Sequence, residues 1–94
     1  MRYEWDGAKA ALNLRKHGVD FMDAIAAIED ANHLADIDEQ YEYGEERLNI
    51  IGAADNVLFV VVAMRGSDTC RIISARKATR HEQDRYYAGD HQTR

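Results

Sequence analysis

The residues best suited to chemistry in this sequence are cationic and lie near its two ends. Lys16 and His17 close the first predicted helix, where the helix dipole favours positive charge. A protonated histidine at this position could give a proton to a leaving group. The alternative is that His17 only caps its helix, and the spacing leaves both interpretations open.

A second set of cations follows the last predicted strand. Arg76 ends that strand, and Lys77 and Arg80 flank the start of a capped helix. A guanidinium group there could bind a phosphate through two parallel hydrogen bonds as negative charge develops on it. The alternative for Arg76 is a surface salt bridge, which contributes little stability. Because side chains alternate along a regular strand, Arg76 and Arg71 are predicted to lie on opposite faces of the sheet.

Two aromatic side chains could bind unpaired RNA bases by stacking. These are Trp5, near the N-terminus, and Tyr86, on the last predicted helix. For Trp5 the alternative is packing in the core. For Tyr86 the hydroxyl group could contact a phosphate or only water.

Sequence patterns for other chemistries are missing. There is no His-x-x-x-His or Cys-x-x-Cys pair, EF-hand loop, glycine-rich phosphate loop or Gly-x-Ser-x-Gly elbow. Cys70 is the only cysteine, which excludes an internal disulfide and favours a reduced core residue. The acidic residues from Asp36 to Glu46 could hold a divalent cation, although a solvated surface loop is the alternative. We therefore expect neither a metal nor a cofactor.

The charge of the chain is unevenly distributed. Its net charge of −5 argues against binding to a polyanion. However, residues 1–19 hold four basic and two acidic side chains, and residues 65–87 hold six basic and three acidic ones. Residues 20–55 hold eleven acidic side chains and one arginine. If folding brings the basic ends together, one side of the protein will attract an anion; the alternative is two ordinary solvated faces.

The length and hydropathy of the chain indicate one domain with no membrane contact. A chain of 94 residues, 46% of them hydrophobic, can fill one core but not two. Its longest apolar stretch, residues 57–64, is far below the roughly 20 residues that span a bilayer. The N-terminal residues do not resemble a secretion signal. We expect a cytoplasmic location.

The N-terminal third of the sequence predicts a short strand and two helices. Residues 2–5 favour an edge strand, and Asp6 can cap a helix over residues 7–17. Gly18 can adopt the left-handed conformation that ends this helix. After a second capping residue, Asp20, apolar residues recur at helical spacing: Phe21, Ala24, Ile25 and Ile28.

The middle of the sequence predicts a sheet. The weakest strand candidate, residues 33–39, is followed by an acidic connection through Gly44. Clearer strands are predicted at residues 47–51, 57–64 and 69–76. Their short links require an antiparallel meander. The uninterrupted apolar run of the second of these strands is typical of a central strand that is covered on both faces.

One more helix completes the predicted fold. Thr79 and Glu82 have the spacing of a capping box, which begins a helix that ends near Tyr87. Residues 88–94 are polar and are expected to form a flexible tail. The sequence thus predicts a single α+β domain over residues 1–87, in which a short strand and two helices pack on an antiparallel β-meander with a C-terminal helix.

Two segments of the sequence resemble the BrnT family of toxins. One is Lys-His-Gly-Val at residues 16–19 followed by Phe21, and the other is Arg-Ile-Ile-Ser-Ala-Arg-Lys-Ala at residues 71–78. Their order and separation also match the family. The resemblance extends over residues 3–87 and includes Glu4-Trp5-Asp6, Lys9-Ala10, Asn13-Leu14, Gly44-Glu45-Glu46-Arg47, Ile51-Gly52, Glu82 and Tyr86.

This resemblance implies a RelE-like ribonuclease that inhibits translation by metal-independent RNA cleavage. It also implies neutralisation by a BrnA-type antitoxin with a ribbon-helix-helix DNA-binding domain, so that DNA is bound only through the antitoxin complex. In RelE-like enzymes the 2′-hydroxyl of the RNA attacks the adjacent phosphate, and cationic side chains stabilise the charged transition state.

The resemblance also implies roles for individual residues. His17, supported by Lys16, is the first choice for proton transfer, and Arg76 is the first choice for the phosphate, with Arg47 as a possible second. These assignments require His17 and Arg76 to face a common hollow. Arg65 is not assigned to the active site, because it is predicted to lie almost a strand length from Arg76. The candidate RNA-binding residues are Lys77, Arg80, Tyr86 and Trp5.

The sequence departs from the family pattern at two places. Gly7 replaces a proline, which should loosen the start of the first helix. Residues 81–84, His-Glu-Gln-Asp, replace an arginine-rich run, which implies weaker RNA binding or an altered antitoxin contact. Two further hypotheses therefore remain open. One is an inactive homologue that binds the antitoxin as a corepressor, and the other is a nucleic-acid-binding protein that acts alone with a steep salt dependence.

Overall fold

A computed structural model describes residues 1–38 and 46–89. The predicted acidic connection over residues 39–45 and the predicted tail from residue 90 onwards lie outside this part of the chain. The elements, in chain order, are β1 (Arg2–Glu4), α1 (Gly7–His17), α2 (Phe21–Ile28), β2 (Leu34–Ile37), β3 (Glu46–Ala53), β4 (Val57–Arg65), β5 (Thr69–Lys77) and α3 (Arg80–Ala88). None of the helices in these two ranges is long and apolar enough to cross a membrane.

The five strands form one sheet in the order β1-β5-β4-β3-β2. Strands β2 to β5 pair antiparallel with their neighbours, as predicted for the meander. β1 adds a parallel edge, with Arg2 opposite Thr69 and Glu4 opposite Arg71. The sheet is therefore mixed, and the predicted α+β class is confirmed.

Local capping interactions set the ends of the first two helices. The Asp6 carboxylate accepts hydrogen bonds from the backbone N–H groups of Ala8 (2.8 Å) and Lys9 (3.2 Å). Gly18 takes the left-handed conformation at φ 72°, and its N–H donates to the carbonyl of Leu14. Asp20 caps α2 in the same way as Asp6 caps α1. The predicted bounds of α1 are confirmed because these short-range contacts decide them.

The main core lies between the sheet and helices α1 and α2. Its fully buried members come from α2 and from alternate positions of the central strands: Phe21, Ala24, Ala27, Val60, Val62, Cys70, Ile72 and Ala75. Gly52 lets α2 approach β3 closely, since a Cβ atom there would lie 2.1 Å from the carbonyl oxygen of Ala27. The face of the sheet towards α1 and α2 is therefore closed.

Among the residues that the structure describes, α3 is the element that packs on the opposite face of the sheet, at one end. There α3 packs over a small second cluster formed by Leu34, Ile51, Val57 and Ala78, with Phe59 and Tyr86 at its border. Beyond Phe59, Val61 on this face is half-buried and Ala63 is fully buried, so the expectation that β4 is covered on both faces is not contradicted. Nine residues of helix span about 14 Å, whereas nine residues of strand span about 30 Å, so α3 is too short to cover the sheet.

A bulge in β5 changes which of its side chains share a face. Val61 pairs with Ser74, but the next residue, Val62, pairs with Ile72, so Ile73 has no partner on β4. The extra residue shifts the alternation of side chains by one position. Arg71 and Arg76 therefore lie on the same face of the sheet, and the prediction that they lie on opposite faces was wrong.

Candidate active site

A hollow of about 230 Å³ lies between α1 and the exposed edge of β5. This edge is available because β1 pairs only with residues 69–71 of β5. The opposite wall consists of Ile73 and Ser74, at the bulge. The residues that α1 contributes follow the i, i+3, i+4, i+7, i+8 spacing of one helix face: Lys9, Leu12, Asn13, Lys16 and His17. The hollow thus combines an apolar part with three side chains that can carry positive charge.

Asn13 holds α1 against this edge of the sheet. It is the one buried polar residue among those described, with 6% exposure. Its amide oxygen accepts a hydrogen bond from the N–H of Ala75 (3.2 Å), and its amide nitrogen donates to the carbonyls of Ala75 (2.9 Å) and Val19 (3.1 Å). The side chain therefore takes the place of a neighbouring strand, and it fixes α1 in position beside Ser74.

Lys16 and His17 lie together in the last turn of α1, and both are exposed at the rim of the hollow. The left-handed turn at Gly18 ends the helix directly after His17. The imidazole therefore lies at the C-terminus of α1, beside the left-handed turn. The two residues predicted for proton transfer are thus adjacent and accessible from solvent.

Arg76 lies on the sheet face that α3 partly covers, and several contacts hold its guanidinium group. Nη1 and Nη2 donate to the two carboxylate oxygens of Glu82 at 2.9 and 3.0 Å, and Nη1 also donates to the carbonyl of Lys77 at 3.2 Å. The guanidinium carbon lies 4.2 Å from the centroid of the Phe59 ring. The hydrogen bonds with Glu82 raise the pKa of Arg76 and lower the pKa of Glu82. Arg76 is therefore charged and strongly oriented.

Arg76 does not line the hollow that contains His17. The two sites adjoin through Ser74, which lines the hollow and lies two residues before Arg76. Ser74 pairs with Val61 and Arg76 pairs with Phe59, so the two residues share a face about 7 Å apart. The sequence assignments require one hollow that both His17 and Arg76 face. The structure has two neighbouring sites instead.

Arg47 lies further along the same face. It pairs with Ala63, which also pairs with Arg71 on the other side, so the three residues form one row across the sheet. The Arg47 Nε atom is buried and has no hydrogen-bond partner among the described residues. Arg71 contacts Glu4 at 3.3 Å. This row is displaced from Arg76 by four residues of β4, or about 13 Å, so Arg47 is not adjacent to Arg76.

The two remaining cationic candidates lie near the end of β5. Lys77 is exposed and pairs with Leu58, which places it on the opposite face from Arg76. Arg80 begins α3 and forms an exposed ion pair with Asp84 at 3.3 Å. Neither residue lines the hollow between α1 and β5.

The two aromatic candidates make contacts within the protein. Trp5 packs edge-to-face on Phe21, with 6.0 Å between the ring centroids, at the border of the main core. The Tyr86 hydroxyl donates a hydrogen bond to Asp30, and its ring contacts Tyr87 edge-to-face. This hydrogen bond raises the pKa of Tyr86 to about 12. Core packing, the alternative considered for Trp5, is what the structure shows for that residue.

The acidic segment considered as a cation site is only partly described. The Asp36 carboxylate forms an ion pair with the Arg85 guanidinium of α3 at 3.1 Å. The backbone N–H of Asp38 donates a hydrogen bond to the carbonyl of Arg47. Over residues 1–38 and 46–89, no three His, Cys, Asp or Glu side chains are grouped so as to hold a metal ion.

Sequence reasoning missed Asn13 as a positioning residue and Arg71 as a neighbour of the other arginines. Asn13 lies on the α1 stripe with Lys9 and Lys16, so the helical spacing could have indicated that it faces the sheet. No comparable signal exists for Arg71, because regular alternation gives it the wrong face and the bulge leaves no mark in the sequence.

The chain has relatives in both sequence and structure. Residues 5–82 match the family model described as the ribonuclease toxin BrnT of type II toxin-antitoxin systems. The fold is similar to a crystal structure of the Brucella abortus ribonuclease toxin BrnT, with 27% sequence identity and a TM-score of 0.61. That similarity covers 85% of this chain and 99% of the Brucella chain. No curated protein sequence matches. The family model covers most of the chain, and the chain therefore belongs to the BrnT family of ribonuclease toxins of type II toxin-antitoxin systems.

Proposed function

We propose that this protein is a RelE-like, metal-independent endoribonuclease that inhibits translation in the cytoplasm and is neutralised by a BrnA-type ribbon-helix-helix antitoxin. The family supports the ribonuclease and toxin roles. The observation that carries the proposal is the position of Ser74, because this residue belongs both to the hollow of His17 and to the sheet face of Arg76. An RNA strand that crosses Ser74 would contact both cationic groups.

The proposed reaction needs only groups of the RNA and of this chain, with water as the acceptor of one proton. The 2′-hydroxyl oxygen forms a bond to the adjacent phosphorus and releases its proton to solvent. The bond from phosphorus to the 5′-oxygen breaks, and protonated His17 gives its proton to that oxygen. The products are a 2′,3′-cyclic phosphate and a 5′-hydroxyl. Lys16, beside His17, adds positive charge near the reacting phosphate.

Arg76 would stabilise the charge that builds up on the phosphate. A guanidinium group has five N–H donors, and the contacts with Glu82 and Lys77 use three of them. The Nε–H and one Nη2–H group remain without a protein acceptor among the described residues. Because Glu82 and Phe59 already orient the group, little reorganisation is needed when negative charge develops.

The antitoxin is proposed to bind the same basic surface. Lys9, Lys16 and His17 around an apolar Leu12 would suit a partner segment that combines acidic and apolar side chains. DNA would be bound only by the antitoxin part of the complex. The RNA contacts assigned to Lys77, Arg80, Tyr86 and Trp5 remain proposals, and the hydroxyl of Tyr86 is already hydrogen-bonded to Asp30.

The purified chain should cleave single-stranded RNA in EDTA and arrest growth when it is induced in a bacterium. His17→Gln and Arg76→Gln should each lower the cleavage rate by about 10²-fold or more. Arg15→Gln, an equal change of charge on an exposed site of α1, should keep full activity. Intact RNA at high concentrations of the wild-type protein would exclude the enzyme.

The alternative is an inactive homologue that binds the antitoxin as a corepressor. Its support is that Arg76 is paired with Glu82 and Arg80 with Asp84, which reduces the positive charge that α3 and its surroundings offer to RNA. This alternative predicts a tight antitoxin complex that binds operator DNA, together with no RNA cleavage by the free toxin at any concentration.

A further inference from the structure

The hollow between α1 and β5 has two ends that can play different roles. Lys16 and His17, which are proposed to act at the reacting phosphate, lie at one end, in the last turn of α1. Lys9 lies two turns earlier on the same helix face, about 10 Å away along the helix axis. The proposed cleavage uses only the first end. The end at Lys9 can therefore contact another part of the same nucleotide.

Apolar side chains form the middle of the hollow. Leu12 lies on α1 between Lys9 and Lys16, and Ile73 lies on the opposite wall. Ile73 is the residue of the bulge that has no partner on β4. Apolar walls of this kind favour the flat face of a nucleobase. The volume of about 230 Å³ is below the roughly 300 to 1,000 Å³ of pockets for drug-sized ligands, so the hollow suits a single base.

The polar groups that the hollow offers to a base are mainly hydrogen-bond donors. The Lys9 ammonium group and the Ser74 hydroxyl group form no hydrogen bond with the residues that the structure describes. Lys9 can only donate, whereas Ser74 can donate or accept. The buried Asn13 adds no donor, because its amide nitrogen already donates to the carbonyls of Val19 and Ala75. The hollow therefore favours a base with adjacent acceptors.

Guanine has this pattern of acceptors. Its N7 and O6 atoms are adjacent, and a lysine that donates to both is one of the common specific contacts with this base. Adenine has an amino donor in place of O6, which cannot accept a hydrogen bond from an ammonium group. The corresponding edge of a pyrimidine presents only one polar group.

We propose that this hollow binds a guanine base next to the scissile phosphate, with Leu12 and Ile73 against its faces and Lys9 at its N7 and O6 edge. Lys9 is then a specificity-determining residue and takes no part in proton transfer. The inference rests on the proposed ribonuclease function and extends it by naming the preferred base. The antitoxin, which is proposed to bind the same surface, would compete with RNA for the hollow.

Binding of a nucleotide that cannot be cleaved tests the subsite independently of catalysis. The probe is guanosine 3′,5′-bisphosphate, which carries a phosphate on each side of the nucleoside, and adenosine 3′,5′-bisphosphate is the matched comparison. NMR titration of the wild-type protein gives both dissociation constants and the residues whose signals shift. We expect the guanosine compound to bind about tenfold more tightly, with the largest shifts at Lys9, Leu12 and Ile73.

Substitutions at the edge and at the face of the base should have different effects. Lys9→Met removes the donor, so the preference for guanosine should fall from about tenfold to less than about twofold. Lys9→Arg, whose guanidinium group can also donate to N7 and O6, should keep the preference. Leu12→Ala should weaken both nucleotides by about fivefold and leave their ratio unchanged, because an apolar contact with the base face does not distinguish the two purines.

Arg15→Met is the control for charge, since Arg15 is exposed on α1 and does not line the hollow. Lys9 is also exposed, so its variants should unfold at the wild-type temperature, which thermal unfolding checks. Equal affinity of the wild-type protein for the two nucleotides would overturn the subsite. Failure to bind either nucleotide, or a guanosine preference that Lys9→Met retains, would also overturn it.

Cleavage of a mixed-sequence RNA, mapped by sequencing of the ends, separates this subsite from the proposed enzyme. The wild-type protein should favour sites next to guanine, and Lys9→Met should lose this preference. Selective guanosine binding without any RNA cleavage would contradict the enzyme and keep the subsite. Cleavage that depends on His17 but is equally frequent beside all bases would contradict the subsite and keep the enzyme.

Discussion

Arg71 and Arg76 lie on the same face of the sheet although an odd number of positions separates them along β5. The bulge at Ile73 is the cause, because it inserts one residue without a partner on β4. This one irregularity decides which cations of β5 lie on the side of the sheet opposite α1 and α2. It also places Ile73 and Ser74 at the wall of the hollow beside α1.

For the rate of RNA cleavage, the geometry of the Arg76 guanidinium group is expected to matter more than its charge. Arg76→Lys keeps the positive charge but cannot make two parallel hydrogen bonds to Glu82 and present further donors to a phosphate. We expect kcat/KM for RNA cleavage to fall by about 10²-fold. Arg15→Lys is the matched control and should leave the rate unchanged. Equal activity of Arg76→Lys and wild type would show that only charge is needed.

Loss of the Asn13 amide should destabilise the protein. Asn13→Ala leaves the N–H and C=O groups of Ala75 and the carbonyl of Val19 without their side-chain partner. We expect the free energy of unfolding to fall by about 2 to 3 kcal/mol in urea denaturation. Arg15→Ala, an exposed change on the same helix, should have little effect. A loss for Asn13→Ala below about 0.5 kcal/mol would mean that water replaces the amide at this edge.

The contact between Gly52 and α2 leaves no room for a side chain. In Gly52→Ala the added Cβ would lie 2.1 Å from the backbone oxygen of Ala27, so α2 or β3 must move. We expect a loss of about 1 to 3 kcal/mol in the free energy of unfolding. Gly7→Ala is the control, because no atom lies within 4 Å of its Cβ position. Thermal unfolding of the two variants should therefore shift by clearly different amounts.

The acid stability of the protein should depend in part on Glu82. The hydrogen bonds from Arg76 hold the pKa of Glu82 below its ordinary value of 4.5. A carboxyl group with a lower pKa in the folded state stabilises the protein above the unfolded-state pKa, and it loses this effect as the pH falls through the folded-state value. Glu82→Gln should cost about 1 kcal/mol at pH 7. In denaturation series at decreasing pH, the difference from wild type should shrink below about pH 4.5; a constant difference would contradict the assignment.

The contribution of Tyr86 to the free energy of unfolding should decrease at alkaline pH, whereas that of Glu82 decreases at acid pH. Its hydrogen bond to Asp30 raises its pKa from 10.0 to about 12. A phenol with a raised pKa stabilises the folded state fully below pH 10, and it loses this effect as the pH rises through the folded value. Tyr86→Phe should cost about 1 kcal/mol at pH 8, and the cost should decline towards pH 12. Tyr87→Phe, at a side chain that is 73% exposed, is the control.

Contacts between residues close in the chain could be predicted from the sequence. Asp6 and Gly18 define α1, and Thr79 and Glu82 form the capping box that begins α3. The antiparallel meander follows from short links between apolar strands. The basic character of both ends of the chain, and the family motifs around His17 and Arg76, were also visible. All of these features depend on residues that lie close together in the chain, so they need no knowledge of the fold.

Only the tertiary structure decided how these groups meet. The bulge at Ile73, the bridge from Asn13 to Ala75 and the row of Arg47, Ala63 and Arg71 depend on strand register between distant segments. A shift of one residue in register exchanges the two faces of a strand, and neither composition nor periodicity fixes that shift inside a bulged strand. The sequence by itself therefore determined the elements and the type of chemistry. The pairing of β5 with its neighbours determined which cations share a surface.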